Sequence, residues 1–394
     1  MSLNHKITMK KLFKYLFLII LALFSLGQLQ RIQLNEVIAF YAHDIFIAIW
    51  MILIILKYRL KILVLIKKYF FNYLAYSLII WVILGLIINF ISHGFSAIPL
   101  LYILRTISYL LFALSLPLVL TYSSESYNRR WALVSLFIAI TGILQYILSP
   151  DTRFLRYLGW DDHYFRLIGT QFDPNFTGIL LIVSFLIIQG TWNKQSRVKT
   201  SISALLAGTI LLTYSRATFL SFIIGSALII FIGFIKTHKK NISLSIIMGL
   251  FIISIPFLPR PDGEGVKLER TASISARIES NRHSLKNLNK YEWLFGNGLF
   301  VYQDQPQVEA FWPNTAHFPD NLIVFLFTST GIVGLGISLI ILYKIGVYLY
   351  KKDIYIFTAF VAILIHSQFN HTLFQPFVWL WITSQILTIE TTKT

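Results

Sequence analysis

The stretch FWPNTAHFPDNLIVFLFTSTGIVG, Phe311 to Gly334, changes character at its midpoint. Its first half is a wet loop with His317, Pro319, Asp320 and Asn321; from Leu322 on it is apolar. Carried on to residue 343, the apolar half is long enough to cross a bilayer as a helix, which takes roughly 20 residues. Pro319 suits a first helical turn and an acid there favours the helix dipole, which accounts for Pro319 and Asp320 but not for His317. His317 is left with two readings, a solvated loop histidine or a proton acceptor at the edge of a membrane.

The rest of the chain fits a membrane setting. Of 394 residues, 56% are hydrophobic and only 13% charged, too few polar groups to cover a water-soluble protein of this size. The absence of cysteine excludes disulfides, thiolate catalysis and Cys-ligated zinc. The basic N-terminal segment reads as the start of a first transmembrane helix rather than a cleaved signal, because it lacks a small-x-small cleavage site and further spans follow.

Twelve apolar stretches have helical length: 13–28, 38–56, 72–91, 97–121, 131–148, 169–190, 201–214, 217–235, 242–258, 321–343, 354–369 and 374–390. The seventh and eighth are short and separated only by Ser215 and Arg216. The net charge of +17 need not mean nucleic acid. Even-numbered turns and the termini hold 21 Lys and Arg residues, whereas the short odd-numbered turns hold 5. That alternation puts both termini in the cytoplasm and segment 259–320 outside. The expectation is one integral membrane domain over 1–394, all-α, a polytopic bundle of about 12 spans. Its one large extracytoplasmic loop is 259–320. Within that loop Ile274, Ile278, Leu285 and Leu288 form an apolar stripe at helical spacing, and Arg270, Arg277 and Ser284 form another line. Such a helix either lies on the outer leaflet or turns a basic face toward an anion.

Charges near a bilayer need a reason, since burying one costs at least a few kcal/mol. In RLIGTQFDPNFTG, Arg166 to Gly178, the turn Asp173-Pro174-Asn175 leads into an apolar span, as a helix cap or as part of a site. In TYSRATFL, Arg216 either snorkels to the surface or belongs to a site. Arg166, Arg216, Arg277 and Arg282 can meet beside His317, Asp320 and Asn321. Arginine clusters hold phosphate or pyrophosphate through forked hydrogen bonds, and an imidazole or carboxylate beside them can take a hydroxyl proton. No acidic cluster suggests a divalent metal, and no nucleotide loop is present. The set fits transfer from a lipid-linked pyrophosphate to a sugar hydroxyl. Arg105, inside the fourth span, is the feature that best fits a transporter of lipid-linked sugar instead. His366, Gln368, Asn370 and His371 either line an acceptor groove or cap the eleventh span.

These pieces stand in a familiar order: R-L-I-G-T-Q-F-D-P-N (166–175), S-R-A (215–217), S-A-R (275–277), F-G-N-G-L (295–299), and D-N followed after nine residues by G-I-V-G (320–334). Over most of 130–345 the chain resembles the O-antigen ligase and O-antigen polymerase superfamily of bacterial membrane proteins. The resemblance implies glycosyl transfer from an undecaprenyl-pyrophosphate-linked oligosaccharide at the periplasmic face of the inner membrane, with no metal and no cofactor. It implies that Arg166, Arg216 and Arg277 bind the pyrophosphate, and that Gly296 and Gly298 shape the loop backbone. Asp173, Asn175, Asn321 and Arg282 are further candidates for substrate contact. The expected partners are the lipid-linked donor, membrane lipid and a chain-length regulator protein, not nucleic acid. Where the ligases carry a histidine before the asparagine, this chain has Asp320, which favours a polymerase over a ligase acting on lipid A core or protein. An ordinary Asp, near pKa 4 and depressed further by arginines, is a weak base at pH 7. His317 is therefore expected as general base with Asp320 as its orienting or acceptor-binding partner, the reverse staying open because Asp320 holds the family's position.

Overall fold

A computed structural model of the chain describes residues 3–34, 38–70, 73–94, 96–120, 124–191, 197–237, 241–261, 263–301 and 318–388. The helices are α1 (Leu3–Ser25), α2 (Ala42–Phe70), α3 (Tyr73–His93), α4 (Ala97–Val119), α5 (Ser124–Leu148), α6 (Pro174–Thr191), α7 (Arg197–Leu211), α8 (Arg216–Thr237), α9 (Ile242–Ser254), α10 (Ala272–Lys286), α11 (Lys290–Phe295), α12 (Leu322–Lys352), α13 (Ile354–His366) and α14 (Pro376–Thr388). Each of the twelve apolar stretches falls on a helix, α1 to α9 and α12 to α14. Among the described residues, four helices are long and apolar enough to cross a membrane: Ala97–Val119, Ser126–Leu148, Arg216–Lys236 and Leu322–Lys352. Shorter apolar helices, including Pro174–Gly190 and Ile354–His366, pack among them. Among the described residues the strands form one small antiparallel hairpin, β1 (Arg31–Gln33) with β2 (Ala39–Tyr41), between α1 and α2.

Helix α6 is the centre of the bundle. Every residue from Ile179 to Ile188 is buried, as expected of a helix apolar on all sides. It packs against α5, α7, α8 and α13, while α14 lies along α4, and α2 flanks α4 from the other side. Several polar side chains at this depth pair with one another: Ser135 with Ser184, Gln189 Nε2 with Ser203 Oγ at 3.0 Å, and Trp50 Nε1 with Ser115 Oγ at 2.7 Å. That is the requirement a bilayer imposes on buried polar groups.

The 259–320 loop is anchored by its glycines. Helix α12 is broken at Gly331 (φ 66°, ψ −175°), a conformation a side chain rarely adopts. The carbonyls of Thr328 and Ser329, beside the break, accept the N–H groups of Asn297 (2.8 Å) and Gly298 (3.1 Å) from outside the helix. A Cβ on Gly331 would lie 2.1 Å from the Leu294 carbonyl oxygen, and one on Gly296 would lie 2.3 Å from the Ser329 backbone. F-G-N-G and G-I-V-G are thus two halves of one joint that docks α11 into the bend of α12.

Helix α10 has the orientation opposite to that of a soluble surface helix. Ser273, Arg277, Ser280 and Ser284 turn toward the protein, with Ser284 1% exposed. Ile274 and Ile278 face outward, 44% and 61% exposed. The arginine line identified in the sequence is therefore the inward face.

Candidate functional site

The site forms at one end of the bundle, where α6, α8 and α12 begin and α13 ends. Two turns build its floor. The loop after α5 runs back on itself, with Phe165 N–H donating to Pro150 O (2.9 Å) and Leu167 N–H to Leu212 O (2.8 Å). Arg166 is thereby held between two backbone anchors against the turn that precedes α8. Phe165 (φ 49°), Phe172 (φ 55°) and Tyr214 (φ 50°) all sit in the left-handed region, costly for bulky residues and typical of places where function outranks local comfort.

Arg166 is 6% exposed. Its Nε donates to Thr213 O at 3.0 Å, and its Nη2 has no partner among the described residues. Burial, with Arg270 and Arg277 nearby, pulls its pKa down to about 9, while Asp173 and Asp161 oppose the shift. A buried guanidinium with an open donor, and with two further arginines beside its acidic neighbours, has a hydrogen bond to offer an anion.

Arg277 reaches in from α10. Its Nη2 donates to Asn370 Oδ1 at 2.9 Å, and its Nε lies 3.6 Å from Asp320 Oδ2. Burial pushes the Asp320 carboxyl up to about 6 despite Arg277, and Asp161 and Asp173 push it the same way. Arg277 does depress Asp320, as expected of an arginine, but desolvation and like charge outweigh that cation at 3.6 Å, so the net shift is upward rather than downward. His317 lies outside the described residues.

Other residues singled out in the sequence spend their polar atoms on structure. Arg216 donates from Nη1 to the carbonyls of Leu268 (3.1 Å) and Arg270 (2.8 Å), and from Nη2 to Ser273 Oγ (3.0 Å). It therefore ties the start of α8 to the segment that carries Arg270 and Arg277. Asp173 caps α6 by accepting from the N–H groups of Asn175 (2.7 Å) and Phe176 (2.8 Å), and burial raises its pKa. Asn175 Oδ1 accepts from Ser215 Oγ at 2.7 Å, joining α6 to α8. Asn321 caps α12 and donates to Gln368 O at 3.1 Å. Arg282 is not brought to this cluster. It lines a separate open groove between α10 and α11 with Ile278, Asn281, Leu285, Lys286 and Trp293.

Two participants were not foreseen in these roles. His163 is 8% exposed with its Nε2 unpartnered, and burial together with Arg166 and Arg270 pushes its pKa well below the ordinary value. Nothing in WDDHYF marks it, because its burial and the approach of Arg270 come from the fold. Asn370 was one of four polar residues near the end of α13, and those four divide. His366 is fixed by Thr372 Oγ1 (2.7 Å) and Thr218 Oγ1 (3.3 Å), Gln368 holds Asn321, and His371 packs among Phe318, Phe325 and Phe374. Asn370, 6% exposed, accepts from Arg277 and leaves its Nδ2 without a partner among the described residues.

Arg105 has a different setting. Its Nη2 lies 3.1 Å from Asp44 Oδ2 and donates to Ala39 O at 2.9 Å. The feature that best fitted a transporter is thus an ion pair between α4 and α2. Among the described residues, no group of three or more His, Asp or Glu side chains is placed to hold a metal ion.

The cluster brings together two open donors, two further arginines and a carboxyl of raised pKa at the ends of apolar helices. That set can hold a di-anionic group and take a proton from a hydroxyl beside it. A search of curated proteins gives no match to the chain. Residues 201–339, which run from α7 through the loop into α12, match the family model described as O-antigen ligase, so this part of the chain is similar to that family.

Proposed function

We propose that the protein is a surface-polysaccharide polymerase. It transfers glycan from an undecaprenyl-pyrophosphate donor onto a sugar hydroxyl of a second lipid-linked repeat unit, on the periplasmic side of the bacterial inner membrane and without a metal. Twelve crossings, cytoplasmic termini and an outer 259–320 loop belong to this reading and rest on the 21-to-5 bias of Lys and Arg between opposing turns. The observation that carries it is Arg166, buried, with one donor open among the described residues and with Arg270 and Arg277 as well as Asp173 and Asp161 acting on its charge.

The donor pyrophosphate sits on Arg166 and Arg277, with Asn370 Nδ2 as an additional donor. Arg216 acts through the loop it clamps. The acceptor oxygen attacks the anomeric carbon of the donor sugar, and the bond from that carbon to the pyrophosphate oxygen breaks. The arginines stabilise the charge that develops on the leaving group, and Asp320 takes the acceptor proton. Two points support Asp320 as base: contact with Arg277, and a pKa near 6 that leaves it ionised at pH 7 yet basic enough to accept a proton. Ligase activity is the second reading, because the matching family is described as O-antigen ligase.

The test is purified protein in lipid nanodiscs with a lipid-linked repeat unit as donor and acceptor, in excess EDTA. Elongated lipid-linked glycan is the expected product. Transfer only to lipid A core would establish the ligase reading, and no transfer without added magnesium would remove the metal-independent one.

A further inference from the structure

The bend in α12 does more than dock the loop. Helix α12 has 31 residues, roughly 46 Å if straight, while α13 has 13, roughly 20 Å. The two are joined at both ends: Leu322 N–H donates to Ser367 O at 2.8 Å, and the single residue Asp353 connects them at the other end. A helix more than twice as long as its neighbour cannot run beside it between shared ends, so α12 bows away at Gly331. The bow leaves an apolar groove of about 480 Å³ between its two limbs and α13. Leu322 and Leu326 line it before the break, Gly346 after it, and Phe357 and Phe360 from α13, with Gln368 at the site end.

That end is continuous with the catalytic cluster. Gln368 accepts from Asn321 through its carbonyl (3.1 Å) and side chain (3.3 Å), Asp320 precedes Asn321, and Asn370, two residues on, holds Arg277. We propose that this groove seats the polyprenyl chain of the donor, an inference that rests on the transferase reading above. A phospholipid tail would find the same apolar walls. The carrier chain is favoured because the groove opens where the arginines would hold the pyrophosphate at the head of that same chain. The break at Gly331 then serves both substrate halves: it fixes the loop that brings Arg277 and opens the path for the tail.

The test compares saturable binding of undecaprenyl pyrophosphate and geranyl pyrophosphate to the full chain in nanodiscs. A Cβ at Gly346 has only Phe360 near it, at 4.0 Å, so Gly346→Trp folds with its ring in the groove. Val361→Trp fills the same groove from α13. Gly336→Trp, exposed and with nothing within 4 Å, is the control on the same helix. The unmodified protein and Gly336→Trp should prefer the long chain by about tenfold or more, the sign of buried methylenes. Gly346→Trp and Val361→Trp should lose that preference while binding geranyl pyrophosphate as before. Equal binding of both chains by the unmodified protein, or an undiminished preference in both groove-filling variants, would overturn the groove assignment alone. Failure of both pyrophosphates to bind the unmodified protein would bring down the transferase reading, and the groove with it.

Discussion

Two arginines withdrawn from solvent, Arg166 buried and Arg105 partly so, have opposite surroundings. Arg105 meets a carboxylate: Asp44 accepts from Arg105, from the Tyr109 hydroxyl and from Tyr41 N–H (2.9 Å). The chain of donors continues outward, from His43 Nε2 to Tyr109 Oη at 2.8 Å and from Gln30 Nε2 to His43 Nδ1 at 2.7 Å. The rings of Tyr41 and Tyr102 lie under the guanidinium at 5.1 and 5.8 Å. Arg166 has two other arginines, Arg270 and Arg277, set against Asp173 and Asp161, bonds to no carboxylate among the described residues, and keeps a donor unused there. A charge that brings its own counter-ion holds helices together; a charge left short of one is poised for an anion from elsewhere. Function, on this view, is carried by the arginine the fold leaves incomplete.

The comparison can be broken by mutation. Asp320→Asn should have the largest effect, a loss of roughly 10²–10⁴-fold in glycan transfer, the usual range for a general base. The unmodified enzyme should lose activity as pH falls through about 6, where the Asp320 carboxylate becomes protonated. The same raised pKa fixes a sign for stability. Folding favours protonated Asp320, so its contribution is full below about pH 4, the unfolded value, and is lost as pH rises through about 6. Asp320→Asn should flatten that slope in thermal melts. If His317→Ala rather than Asp320→Asn removed activity, the base would be His317.

Arg166→Gln comes next, with an expected loss on the order of 10²–10³-fold, as for removal of one preorganised donor to a developing oxyanion. Its thermal stability should be unchanged or raised, because the substitution relieves repulsion from Arg270 and Arg277. Arg105→Gln should do the reverse. It leaves Asp44 partly buried without its cation and costs up to about 3 kcal/mol, with turnover per folded molecule kept. Adding Asp44→Asn should recover part of that loss, a coupling that double-mutant melts measure directly.

Much of this contrast lay beyond the reach of the sequence. The helices were legible because a bilayer demands long apolar runs, and each of the twelve such runs is helical. The cluster of Arg166, Arg277 and Asp320 was legible as charge next to apolar spans. What the linear chain could not disclose was which polar atoms are already spent. Arg216, Asn175 and Asn321 carry ligand chemistry but bond to Leu268, Ser215 and Gln368, all far away in sequence. Arg105 read as an open charge because Asp44 lies 61 positions before it, on another helix. His163 and Asn370 joined the site only through the loop that Arg216 and the Gly331 joint hold in place.

The smallest expected effect belongs to that support. Arg216→Lys keeps the charge but cannot make all three bonds to Leu268, Arg270 and Ser273. It should cost about tenfold in transfer, since misplacing Arg277 weakens positioning without deleting a reacting group. Limited proteolysis of the 259–301 segment should speed up in step. Lost transfer with unchanged proteolysis would make Arg216 a direct ligand of the pyrophosphate.

The central claim is tested most directly by thermal melts of the unmodified protein, Arg105→Gln and Arg166→Gln with and without undecaprenyl pyrophosphate. A ligand that binds only the folded state raises the melting temperature in proportion to its affinity. The account predicts that the ligand stabilises the unmodified protein and Arg105→Gln by similar amounts and Arg166→Gln little or not at all. Equal stabilisation of Arg166→Gln and the unmodified protein would contradict it.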